Sequence, residues 1–147
     1  MVWKRIFARA SNPISHFSCE EERNRIDFKN GAIIKLRMDK DSRIGDVAAL
    51  LVPGERVISS YTALRDYVVF TDKRVISVNV QGITGKKKDY TSLIYNKISA
   101  FSVETAGVLD LDSELEIYLS GLGKVRFEFT GGFDIVAIGQ AIAANTF

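Results

Sequence analysis

A chain of 147 residues with 46% hydrophobic and 26% charged side chains is long enough for one real core, and its formal charge of +2 offers no concentrated basic face for nucleic acid. The single cysteine, Cys19, excludes an intrachain disulfide framework and fits a reducing compartment. No apolar run approaches the ~20 residues of a membrane-spanning helix, and Arg9 and Asn12-Pro13 interrupt the N-terminus before a secretory signal of ~7–15 apolar residues can form, so a cytoplasmic location is expected.

Residues 1–40 read as an N-terminal extension. They hold a basic-aromatic start, Trp3-Lys4-Arg5-Ile6-Phe7, and an acidic cluster, Glu20-Glu21-Glu22. A hairpin is expected where Arg25-Ile26-Asp27-Phe28 and Ala32-Ile33-Ile34-Lys35-Leu36 flank Lys29-Asn30-Gly31, because Asn-Gly favours a tight turn. Two strands alone are marginal in water, so this hairpin must dock on the main domain or on another subunit, or stay poorly ordered. Met38-Asp39-Lys40-Asp41 reads like an ordinary protein start, which leaves residues 1–37 open to being an over-extended reading of the gene.

From residue 41 to 147 the pattern is that of one domain. Asp41 or Ser42 can cap a short helix with Ile44, Val47, Leu50 and Leu51 on one face, stopped by Pro53-Gly54. Strands are predicted at Glu55–Ala63, Tyr67–Thr71 and Arg74–Val80, the last two joined by the polar turn Thr71-Asp72-Lys73-Arg74. Two more follow at Lys86–Tyr95 and Lys97–Thr105, and after a loop at 106–113 a sixth runs over Glu114–Leu119. In the seventh, Val125, Phe127 and Phe129 alternate with charged residues until Gly131-Gly132. Beyond it the spacing of Phe133, Val136, Ala137, Gln140 and Ala141, flanked by Ile135, Ile138 and Ile142, changes the period from two to about 3.6 and predicts an amphipathic helix. About seven strands without βαβ alternation, closed by one helix, give a mainly β (α+β) fold, an antiparallel barrel or orthogonal sandwich.

Several runs carry a more specific signal. Val52-Pro53-Gly54-Glu55, Arg65-Asp66-Tyr67-Val68-Val69-Phe70-Thr71-Asp72-Lys73-Arg74, Gln81-Gly82-Ile83-Thr84-Gly85-Lys86-Lys87 and Phe101-Ser102-Val103-Glu104-Thr105-Ala106-Gly107 resemble signature runs of the bacterial pleckstrin-homology-like (PH-like) family, in the right order from about residue 41 to the end. The resemblance implies a PH-like barrel or sandwich and closed cyclic homo-oligomers of mostly unassigned role. Eukaryotic relatives often hold phosphoinositide headgroups on a basic loop of the form Lys-x-(Lys/Arg)-x-Arg. The corresponding loop here, Thr62-Ala63-Leu64-Arg65-Asp66, has one Arg beside one Asp and lacks that multivalent grip.

Few residues carry chemistry. His16 and Cys19 could share a helix face, but two ligands do not make a zinc site and the chain has no second His or Cys to add or to orient a nucleophile. Asp110, Asp112 and Glu114, with Glu104 near, lack the Gly and distal Glu of a calcium loop and read as a solvated acidic loop. Gly85-Lys86 lacks the first Gly, the Ser or Thr and the following helix of a phosphate-binding loop. No cofactor or metal is expected. A catalytic reading would need a pocket joining Asp110 and Asp112 to Tyr118 or Arg126, and nothing in the sequence requires one.

Lys86, Lys87 and Lys88 read first as an edge strand made unattractive to stray pairing, and second, with Arg65, as a contact for an acidic protein or anionic lipid. Ile44, Val47, Leu50 and Leu51 are the expected contributors to an interface between copies. The leading expectation is a non-catalytic interaction domain that self-assembles into a cyclic homo-oligomer. The alternative is a module peripheral to the inner membrane surface, helped by Trp3, Lys4 and Arg5 as an interfacial foot.

Overall fold

The computed structural model describes residues 32–39, 43–131 and 135–146. Trp3 to Phe7, His16, Cys19, Glu20 to Glu22 and the first arm and turn of the expected hairpin lie outside the described residues.

Among the described residues eight strands form one sheet: β1 (Ala32–Met38), β2 (Val57–Ala63), β3 (Asp66–Thr71), β4 (Arg74–Gln81), β5 (Lys87–Ile94), β6 (Ile98–Glu104), β7 (Ser113–Leu119) and β8 (Gly123–Thr130). A single turn of helix, α1 (Ile44–Val47), continues as a 3-10 turn over Ala48–Leu50, and α2 (Ile135–Thr146) follows β8. The order across the sheet is β5-β4-β3-β2-β1-β8-β7-β6, so β5 and β6 are its two ends and the sheet is not closed. The fold is PH-like and mostly β, an open sheet folded over into a sandwich rather than a sealed barrel.

The second arm of the expected hairpin is thus a strand in the middle of the sheet. β1 runs parallel to β8 from Ala32↔Val125 to Arg37↔Thr130, and its far end pairs antiparallel with β2 through Arg37↔Thr62 and Met38↔Tyr61. A domain boundary at residue 41 leaves this strand out; the sheet includes it. All other pairs among the described strands are antiparallel. A parallel pair needs a long crossover, and here nearly the whole domain is that crossover.

The two halves of the sheet and the terminal helix share one core. Tyr61, Val68, Phe70, Val75 and Leu93 come from one half, and Leu115, Ile117, Val125, Phe127 and Phe129 from the other. Leu36 of β1 lies between them, fully buried. Phe70 meets Phe127 edge-on at 5.6 Å and Tyr61 meets Phe129 at 5.1 Å, the offset geometry that aromatic quadrupoles prefer. In α2 the buried stripe is Ile135, Ile138 and Ile142, one turn apart, while Val136 and Gln140 face outward. The helix is where the periodicity placed it, but its buried face is the isoleucine row rather than the row through Val136 and Gln140. Gly139 lets it approach β6 closely: a Cβ there would stand 3.2 Å from Cγ2 of Val103.

β3 is buried along its whole length because both of its faces are covered. Val68 and Phe70 face the main core, while Tyr67 and Val69 join Val47, Ile76 and Val78 in a second cluster under α1. Burial on both faces explains the unbroken apolar run Tyr67-Val68-Val69-Phe70.

Candidate interaction surface

Glu55, at the end of the Val52-Pro53-Gly54-Glu55 run, anchors the segment carrying α1. Its side chain is fully buried, and Arg74 donates to it through Nε at 2.9 Å and through Nη2 at 3.0 Å. Thr71 Oγ1 and the Val52 amide also donate to this carboxylate, at 2.8 and 3.0 Å. Arg74 reaches on to the Leu50 carbonyl and to Ser92, tying the 3-10 turn to β4 and β5. Burial pushes the Glu55 carboxyl up, but the hydrogen bonds from Arg74, Val52 and Thr71 outweigh it and hold it below its ordinary value. Both oxygens of the Glu55 carboxylate are taken by protein donors. The cluster is a latch.

A second polar group sits over the outer face. The Arg43 guanidinium lies 5.4 Å and the Lys88 ammonium 5.7 Å from the Tyr67 ring centre, and Lys88 pairs with Asp46 at 3.2 Å. Burial, then the Asp46 carboxylate and Tyr90, push the Tyr67 phenol well above its ordinary value. Lys88 is therefore engaged in holding α1 on the sheet, apart from the exposed Lys86 and Lys87. The expected interface stripe divides likewise. Val47 is fully buried within its own protomer, Ile44 and Leu51 are half-buried, and Leu50 is exposed.

Arg65 does join the start of β5. The two-residue turn Leu64-Arg65 between β2 and β3 brings its Nη2 to the Gly82 carbonyl at 2.7 Å, in the β4–β5 loop just ahead of Lys86. Asp66, beside it in sequence, is buried and accepts from the Val80 amide at 2.7 Å, so it pins the turn rather than facing out. The tips of both loops are aliphatic: Leu64 is 96% exposed and Ile83 85%. Leu64 also holds a left-handed backbone, with φ of 58°, which costs a residue with a Cβ about 1 kcal/mol.

The β6–β7 loop is a second exposed apolar tip. Val108 is 97% and Leu109 fully exposed, with Leu111 beside them, interleaved with exposed Asp110 and Asp112. Glu114 does not join those acids but pairs with Arg126 on the outer face of β7 and β8. Nearby, Lys124 reaches Glu116 at 2.9 Å and Tyr118 donates to Glu116 at 2.7 Å, a cross-strand ladder of paired charges. Tyr118 and Arg126 thus take their partners from this ladder. Among the described residues no three His, Cys, Asp or Glu side chains cluster as a metal site would require, and no helix is long and apolar enough to cross a membrane.

The sequence model of the family described as bacterial PH domain matches residues 27–146 of this chain. The chain belongs to the bacterial PH domain family. The family match takes in β1 as well as β2 to α2. Among curated bacterial relatives, the uncharacterised Bacillus subtilis protein YjqA is 48% identical over 101 residues, covering 67% of this chain and 81% of its own. YozO of the same organism, also uncharacterised, is 40% identical over 94 residues, 64% of this chain and 80% of that one. Among solved structures, a DUF1696 protein with a pleckstrin-homology domain from Shewanella loihica superposes with a TM-score of 0.61 at 35% identity, covering 80% of this chain and all of that one. A pleckstrin homology domain from Shewanella amazonensis gives 0.53 at 37% identity over 74% of this chain and 89% of its own. Together they make this a bacterial PH-like domain whose role in the cell is unassigned.

The Glu55–Arg74 latch and the second tip at Val108 to Leu111 were not singled out as functional from sequence. Both latch residues lie inside runs that resemble the family's signature runs, which is the signal that could have marked them. An exposed Val108 or Leu109 looks, in sequence, like any core residue.

Proposed function

We propose that this chain is a non-catalytic interaction domain that assembles with copies of itself into a closed ring. The observation that supports this is the open sheet, whose two end strands, β5 and β6, each have one edge with no partner strand among the described residues. An edge strand offers a row of backbone donors and acceptors to another chain. Two unlike edges on one protomer favour a head-to-tail contact, which repeats around an axis and closes into a ring when the rotation allows. Gel filtration with light scattering at micromolar concentration tests the reading. The expected mass is a multiple of the 16.4 kDa protomer, and a clean protomer mass refutes it.

A second reading, contact with an anionic membrane, draws support from Leu64 and Ile83, two exposed aliphatic tips flanked by Arg65, Lys86 and Lys87. Each cation near such a surface adds about 1 kcal/mol, too little without insertion of the tips. Co-sedimentation with strongly anionic vesicles at low salt separates the two readings. No binding under those conditions ends the second.

A further inference from the structure

We infer that β5 of one copy pairs antiparallel with β6 of the next, and that this contact seats the acidic β6–β7 loop of one protomer against the basic loop tips of its neighbour. The inference rests on the self-assembly reading and names its interface. Three features unexplained by the isolated fold support it.

The first is why the two edges stay open among the described residues. β5 and β6 are consecutive in sequence, joined only by the 3-10 turn Tyr95–Lys97, the usual setting for a hairpin. The turn is instead bound elsewhere: the Tyr95 amide donates to the Lys73 carbonyl at 3.2 Å, and its buried hydroxyl donates to the Thr71 carbonyl at 2.8 Å. That anchorage sends the strands to opposite ends of the sheet. Eight residues of β5 and seven of β6 are left as partners of matching length.

The second is charge. β5 begins at Lys87, with Lys86 before it, and β6 ends at Glu104, with Asp110 and Asp112 in the loop beyond. All five are exposed, and no ion pair involves them among the described residues. An antiparallel pair sets the start of β5 beside the end of β6, so these cations and carboxylates meet. A parallel pair would set the lysines beside Ile98 and Glu104 beside Ile94, with no such match. Direction is therefore selected by charge.

The third is the misplaced apolar surface. Beyond the start of β5 lie Ile83 and, in the adjoining turn, Leu64; beyond the end of β6 lie Val108, Leu109 and Leu111. Antiparallel pairing brings these two sets of exposed aliphatic side chains to the same end of the shared interface. Leu64 keeps a large apolar side chain where the backbone suits Asn or Gly. A contact with a neighbour accounts for that choice.

The test uses the full chain and two surface variants, Lys86→Glu/Lys87→Glu and Glu104→Lys/Asp110→Lys/Asp112→Lys, each checked for unchanged circular dichroism. By light scattering at micromolar concentration, wild type is expected to assemble and each variant to fall to 16.4 kDa. Mixing the two variants should restore assembly, because the reversed basic edge again meets a reversed acidic one. Wild-type assembly that neither variant changes overturns this interface while leaving self-assembly intact. A wild-type protomer mass overturns both. Lysine variants that keep the assembled mass yet lose binding to phosphatidylserine vesicles would make the tips a membrane contact and also overturn it.

Discussion

The carboxylate of Glu55 has no water to turn to, so its four protein hydrogen bonds determine whether the α1 segment stays on the sheet. Removing one partner of a buried pair leaves the other uncompensated, and Glu55→Gln should cost about 3 kcal/mol in urea or thermal unfolding. The effect should depend on pH. Because this carboxyl titrates below its ordinary 4.5 in the folded chain, the unfolded chain binds its proton more readily. Its stabilisation is complete above that ordinary value and is lost as pH falls through the lowered one. Wild type should therefore lose stability between those values more steeply than Glu55→Gln, and equal slopes would show that the latch carboxyl is not held low. Leu64 is the opposite case, a residue kept against its local cost. Leu64→Asn, which relaxes the left-handed turn, should raise the stability of the dispersed protomer by up to about 1 kcal/mol. If Leu64 belongs to a contact between copies, the same change should weaken assembly, so the two measurements should move in opposite directions.

Among the elements, β1 has the largest consequence for how the chain is defined. It supplies one of the two partners of β8, the other being β7, and it carries Leu36, fully buried and paired with Phe129. A chain beginning at Met38 loses the six pairs from Ala32↔Val125 to Arg37↔Thr130 and exposes two long strands on either side of the gap. It should lose its cooperative thermal transition or aggregate. The milder Leu36→Ala should keep the fold at a cost of about 3 kcal/mol, as a buried Leu truncation usually does. A Met38-start chain that melts like the full one would remove β1 from the account. The seven other strands and α2 were legible because a period of two, polar turns and a change to a period near 3.6 are local signals. The strand character of Ala32 to Leu36 was legible for the same reason. Its place was not, since its partner Val125 to Thr130 lies about ninety residues away and no local pattern names a parallel neighbour. The buried face of α2 was misread because Ile135, Ile138 and Ile142 alternate around the helix with other small and apolar residues, which leaves the periodicity without a single phase.

For the whole molecule, the interaction surface is an arrangement of loops and edges that each look ordinary in sequence. The union of Arg65 with Lys86 and Lys87 could be read as a basic group, and the structure places Arg65 on the loop that leads into them. The acidic loop at Asp110 and Asp112 reads as solvated in sequence, but the exposure of Val108, Leu109 and Leu111 within it could not be read there, because exposure is decided by tertiary placement and not by residue type. If the folded protomer is stabilised by its neighbours, mass action ties its stability to concentration, since only the native chain offers intact edges. The melting temperature of wild type should then rise steadily with protein concentration across the micromolar range. Under the charge-reversed lysine pair it should not, while a one-to-one mixture of the two charge-reversed variants should recover the dependence. Edge pairing also predicts that raising salt lowers the wild-type midpoint toward that of the dispersed variant, because solvent-exposed charges at the strand ends are screened within about 10 Å at 0.1 M. A midpoint that ignores both concentration and salt would mean that the open edges of this sheet stand alone in solution.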